Sequence, residues 1–128
     1  MKYFFSKHLD ISFDDALSKV TAELKKEGFG ILTEIDVRAT LKEKLDVDFR
    51  RYVILGACNP PFAYKALQAE DKIGLMLPCN VVIQEIENGT VEVAAIAPLV
   101  SMQAVDNPVL QDIASEIQAK LQRVISST

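Results

Sequence analysis

The dipeptide Asn88-Gly89 is the feature that most constrains the fold, because it separates two apolar segments. Asn-Gly is typical of the two-residue turn of a β-hairpin, so we predict that Cys79–Ile86 and Thr90–Ala97 pair as antiparallel strands. Such a turn would place Ile86 opposite Val91. On that register one face of the hairpin would carry an apolar patch formed by Val81, Ile83, Ala94 and Ile96.

Apolar periodicity and capping residues predict the other elements of the chain. They are a strand Lys2–Leu9, a helix capped by Ser12, a strand Phe29–Ile35, a short helix capped by Asp36, a strand Tyr52–Gly56, a helix from about Pro61 to Glu70, an extended or turn segment Lys72–Pro78, and a last helix starting at Asn107-Pro108. This order predicts an α+β fold. We expect a two-layer sandwich, with a mixed sheet of about five strands and helices packed mainly on one face.

Length and charge limit the domain count and the classes of partner. A chain of 128 residues predicts one compact domain, residues 1–128. The net charge of −4 argues against a nucleic-acid partner or an anionic membrane surface, since both require a basic face. The chain opens without an apolar signal segment, so we expect a cytoplasmic protein whose two cysteines are reduced.

The stretch from Tyr52 to Glu85 is the predicted location of a functional site. It contains both cysteines, Cys58 and Cys79, and each is followed by an asparagine. A thiol at a strand end beside a helix start could be reactive or could form half of a metal site. Buried packing is the more common role of a free cysteine, and the spacing matches no Cys-x-x-Cys motif.

Several polar residues are candidates for the same cleft, and each also has a plain structural role. Asn59 and Asn80 could line a pocket for an anion or a polar ligand, or could simply cap a helix and occupy a turn. Glu34, Asp36 and Lys42 could form a polar cluster, or could be a helix cap and solvated charges. His8 is the one histidine, which excludes sites with several histidine ligands. No P-loop, nucleophile-elbow or His-Glu-x-x-His motif is found, so catalytic residues stay unassigned and no cofactor or metal is predicted.

A set of ordered motifs resembles one protein family. The motifs are Gly28-Phe-Gly-Ile-Leu-Thr-Glu-Ile-Asp-Val, Leu41-Lys-Glu-Lys-Leu, Ala57-Cys-Asn-Pro and Ile73-Gly-Leu-Met-Leu-Pro-Cys-Asn-Val-Val. They resemble the uncharacterised bacterial and archaeal family known as domain of unknown function 302. Asp46 and Arg51 depart from the glycine and proline expected there. The resemblance implies a compact α+β fold, often homodimeric, without an established reaction, substrate or cofactor.

Two hypotheses of function follow. The first is a cytoplasmic homodimeric module that binds a small molecule or an anion in a cleft near Cys58 and Cys79. The apolar hairpin patch would give the dimer a physical reason, unless helices of the same chain cover it. The second is a thiol-dependent redox or metal-binding protein that uses the two cysteines. Whether the chain is an enzyme stays open.

Overall fold

A computed structural model describes residues 2–128. The strands are β1 (Phe4–Leu9), β2 (Gly30–Asp36), β3 (Tyr52–Cys58), β4 (Cys79–Glu85) and β5 (Val91–Ile96). The helices are α1 (Phe13–Lys26), α2 (Val37–Leu45), α3 (Pro60–Ala69), the single turn α4 (Pro98–Ser101) and α5 (Pro108–Ser127). Among residues 2–128, no helix has the length and apolar character needed to cross a membrane.

The five strands form one sheet in the order β1-β5-β4-β3-β2, which confirms the α+β prediction. The expectation of a mixed sheet is wrong, because every neighbouring pair is antiparallel. The reason lies in the connections. The segments containing α2 and α3 join strands that are antiparallel neighbours, so each acts as a long hairpin connection rather than a crossover between parallel strands.

The main core lies between one face of this sheet and the helices α1 and α5. Both helices start as the sequence predicts. The Asp15 amide donates to Ser12 Oγ at 3.1 Å, and the Val109 amide donates to Asn107 Oδ1 at 3.1 Å. The apolar stripes of the two helices then pack on the inward-facing strand residues. Those strand residues are Leu9, Val53, Leu55, Ala57, Cys79, Val81, Ile83, Val91, Val93 and Ala95.

The hairpin of β4 and β5 forms, but its predicted register is wrong by one residue. Glu85, and not Ile86, lies opposite Val91. The connection is longer than a two-residue turn, since a short 3₁₀ turn spans Glu87–Gly89 and the Ile86 amide donates to the Thr90 carbonyl at 2.9 Å. A shift of one residue moves the β4 side chains to the other face.

The predicted patch on the hairpin is therefore not a single surface. Val81 and Ile83 are fully buried in the core, whereas Ala94 and Ile96 lie on the opposite face of the sheet.

Two further segments differ from the expectation. The predicted alternation of β2 is broken by a register shift between Ile31 and Thr33, which leaves Leu32 exposed between them. Asp71–Met76 forms a 3₁₀ helix, where an extended or turn segment was predicted. Its Ile73 side chain is buried in a second, smaller core cluster with Ala66, Met102, Leu110 and Ala114.

Candidate functional site

A cavity of about 280 Å³ lies between α3, α5 and the sheet, at the end of the sheet where β3 finishes and β4 begins. The exposed side chains of Leu32 and Leu67 belong to its lining, so the cavity reaches the surface there. The residues that line it come from the strand ends, α3, the 3₁₀ segment, α4 and α5. They are Phe29, Leu32, Ala57, Cys58, Asn59, Phe62, Ala63, Ala66, Leu67, Gly74, Leu77, Pro78, Cys79, Pro98, Met102, Ile113, Ala114 and Ile117.

The antiparallel pairing of β3 with β4 brings the two cysteines to this cavity. Ala57 lies opposite Cys79, so the last residues of β3 and the first residues of β4 lie side by side at one end of the sheet. Cys58, the last residue of β3, is half-buried, and Cys79 is buried. Both thiols are free and both line the cavity. The structure therefore brings these two candidate residues to the same cavity.

The Cys79 thiol is in its protonated form at neutral pH. Burial, together with the neighbouring Cys58 thiol, raises the pKa of Cys79 to about 11. A thiol needs its thiolate form to act as a nucleophile or metal ligand. Within residues 2–128 no three histidine, cysteine, aspartate or glutamate side chains are grouped so that they could hold a metal ion. The raised pKa therefore leaves little thiolate at Cys79 at neutral pH.

Asn59 lies at the wall of the cavity and joins two helices. It occupies the position before α3, as predicted, but its side chain does not cap that helix. Its Nδ2 instead donates to the carbonyl oxygen of Glu27, at the end of α1, at 3.1 Å. Gly28 permits this approach, because a Cβ there would lie 3.1 Å from Nδ2 and because its φ of 86° favours glycine.

Because Gly56 has no side chain, Thr33 of β2 and Pro78, which precedes β4, can pack closely against β3. A Cβ at this position would overlap Thr33 Oγ1 and would lie 2.7 Å from Pro78 Cγ. Pro78 itself lines the cavity. The close packing at Gly56 thus positions the segment that leads into Cys79.

The other four candidate residues do not line the cavity. Asn80 is exposed and lies on the sheet face opposite the main core. Asp36 accepts a hydrogen bond from the Ala39 amide at 2.9 Å and so caps α2, which is the structural role predicted for it. Lys42 forms an ion pair with Asp46 at 2.9 Å, and Glu34 is an exposed residue of β2. No Glu34–Asp36–Lys42 cluster therefore contributes to the cavity wall.

Two positive charges lie beside Phe62, one of the lining residues, but their side chains are not part of the cavity wall. The ammonium groups of Lys65 and Lys120 lie 5.6 and 5.9 Å from the centre of this ring. Glu27 binds Arg123 through three short contacts of 2.9 to 3.2 Å. This hydrogen bonding to Arg123, opposed by burial and helped by the positive charges of Arg123 and Lys120, holds the pKa of Glu27 below its ordinary value.

Most of the cavity wall consists of apolar residues that the sequence did not mark as functional. Phe62, Ala66, Leu77 and Met102 are examples. The last helix was predicted from its apolar periodicity, and Ile113, Ala114 and Ile117 on its apolar stripe line the cavity. That stripe signals burial but does not distinguish a packed interface from one that leaves a space.

Comparisons with known proteins agree with this fold. The profile of the family described as "Domain of unknown function DUF302" matches residues 5–128. A solved structure, the crystal structure of the uncharacterized conserved protein DUF302 from Bacillus stearothermophilus, superposes with a TM-score of 0.91. The two sequences are 29% identical, and the match covers 99% of this chain and 98% of that one. No curated protein matches the chain.

Proposed function

This chain belongs to the family of domain of unknown function DUF302, and from its cavity we propose that it binds a small, predominantly apolar molecule between α3, α5 and the adjoining ends of β3 and β4. The proposal keeps the binding module expected from the sequence. It changes the expected ligand, since an anion would meet a wall without any lysine, arginine or histidine.

The observation that carries the proposal is a cavity of about 280 Å³ with an apolar wall. Protein interiors are close-packed, and voids larger than a water molecule are few. An apolar cavity of roughly 150 Å³ is already enough to take up benzene. Water in such a space would find few hydrogen-bonding partners, so an apolar ligand gains free energy by displacing it.

A titration with toluene tests the proposal. We expect ¹H–¹⁵N amide shifts to change mainly for residues that line the cavity, such as Cys58, Ala66 and Ala114, and to saturate. Exposed amides on α2, including Arg38, serve as the internal reference. An absence of saturable changes up to the solubility of toluene would contradict the proposal.

A homodimer formed through the open face of the sheet is also proposed. What supports it is a groove of about 240 Å³ on the face opposite α1 and α5, where Tyr3, Tyr52, Val82, Ala94 and Ile96 contribute apolar surface. Tyr3 is 62% exposed there. Sedimentation equilibrium should give a dimer for the natural chain and for Val109→Lys, on the exposed side of α5, and a monomer for Val82→Lys. A natural chain that is monomeric at micromolar concentration would contradict the dimer.

The cytoplasm is the proposed compartment. Two free cysteines at the same end of the sheet support it, because the cytoplasm keeps thiols reduced and disulfide bonds are rare there. Fractionation of cells that produce the chain should recover it with cytoplasmic markers.

A further inference from the structure

Asn59 gives the cavity a single polar side chain. Of the side chains that line the space, it alone carries nitrogen or oxygen atoms. It is 8% exposed, so its amide is largely withdrawn from bulk solvent. A polar group in such surroundings costs free energy unless it forms a hydrogen bond.

The orientation of this amide follows from its partner. The Glu27 carbonyl oxygen can only accept, so the group facing it at 3.1 Å is the Nδ2 donor. Oδ1 lies on the other branch of the amide and receives no hydrogen bond from any residue between 2 and 128. It is not sealed inside the protein either, since no fully buried side-chain nitrogen or oxygen atom in that range lacks a partner. Oδ1 is therefore not fully enclosed, and Asn59 is one of the residues that line the cavity.

The geometry points to a ligand that is apolar except for one hydrogen-bond donor, an O–H or N–H group, placed at the Asn59 end of the cavity and bound by Oδ1. This inference rests on the proposed function and specifies its ligand class. An ether, ester or ionised carboxylate offers only acceptors and would leave Oδ1 without a partner. A small phenol, alcohol, amine or amide satisfies both the apolar wall and the amide oxygen.

The pair p-cresol and p-xylene tests the inference, because the two molecules have the same shape and differ by a hydroxyl in place of a methyl group. Without an acceptor in the cavity, p-xylene should bind more tightly by at least about tenfold, since the hydroxyl would be buried unpaired. With Oδ1 as acceptor, we expect p-cresol to bind the natural chain as tightly as p-xylene or more tightly. Calorimetric titration gives both dissociation constants.

Two variants separate the Asn59 amide from an amide on the same helix outside the cavity. Asn59→Ala should shift the ratio of the two dissociation constants towards p-xylene by about tenfold or more. Gln68→Ala, which removes an exposed amide of α3 that does not line the cavity, should leave that ratio unchanged. The ratio compares molecules of one shape, so the extra space created by the substitution affects both.

The possible results distinguish the proposed apolar binding from the requirement for a hydrogen-bond donor in the ligand. If neither probe binds, the proposed function fails together with this inference. If p-xylene binds the natural chain at least tenfold more tightly, or if Asn59→Ala leaves the ratio unchanged, apolar binding stands and the donor requirement is overturned. If Asn59→Ala does not fold, the ratio measured on the natural chain decides.

Discussion

The side-chain amide of Asn59 donates to the backbone carbonyl of Glu27 across a distance of 3.1 Å and thereby joins the start of α3 to the end of α1. Pro60 and Pro61 open α3, so the second helical residue lacks the N–H that is one of the two usual donors to a capping side chain. The amide of Asn59 is therefore directed away from its own helix. It fixes one end of the cavity wall to the core helix α1.

Replacement of Asn59 by alanine should lower the free energy of unfolding by about 1 to 2 kcal/mol, because the Glu27 carbonyl loses its side-chain donor at a largely buried position. Asn80→Ala is the matched control, since Asn80 is exposed, and it should change stability by less than about 0.5 kcal/mol. Urea denaturation followed by circular dichroism measures both. Equal effects of the two substitutions would contradict the structural role of Asn59.

Gly56→Ala should destabilise the protein by about 1 to 3 kcal/mol, because the added methyl group would overlap Thr33 and Pro78. Gly30→Ala is the control. A Cβ at Gly30, in the adjacent strand, meets no atom within 4 Å. The double variant Gly56→Ala with Thr33→Ala should recover part of the loss, since it removes the nearest obstacle. Chemical denaturation of the four proteins is the measurement, and a neutral Gly56→Ala would refute the close packing.

The raised pKa of Cys79 predicts a loss of stability at alkaline pH. Its pKa is about 11 in the folded chain and has an ordinary value of 9.0, so the unfolded chain releases this proton first. The contribution is constant below pH 9 and falls between about pH 9 and pH 11, by roughly 2 to 3 kcal/mol in total. The difference in unfolding free energy between the natural chain and Cys79→Ala isolates it from other titrating groups. A difference independent of pH would show that Cys79 is not held in its thiol form.

The sequence was most informative where one residue type has one strong structural meaning. Ser12, Asp36 and Asn107 cap helices as predicted, and the order of the elements gave the α+β class. The hairpin was found, but its register depends on the length of the connection. Because the Ile86 amide donates a hydrogen bond to the Thr90 carbonyl around a longer turn, the prediction placed the β4 side chains on the wrong faces relative to β5. The β2 bulge is a similar single-residue irregularity that alternation does not reveal.

Three residues that line the cavity, Cys58, Asn59 and Cys79, could be singled out in advance because cysteine and asparagine at strand ends are conspicuous in a sequence. The apolar wall was not found, since Phe62, Met102 and Ile113 have the same periodicity as any core residue. A cavity results from how closely packed elements approach one another, and that depends on contacts between residues far apart in the chain. Glu34 and Lys42, for which the sequence allowed either a polar cluster or solvated charges, lie exposed on the surface.

Calorimetric titration of toluene into the natural chain, Ala63→Leu and Ala119→Leu tests whether the cavity binds an apolar molecule. Ala63 lines the cavity on α3, so leucine there should fill part of the space and weaken toluene binding at least about tenfold. Ala119 is exposed on α5, so leucine there should leave the affinity unchanged. If toluene occupies the cavity, binding is saturable and is lost only in Ala63→Leu. Toluene binding of equal strength in all three proteins, or in none of them, would contradict it.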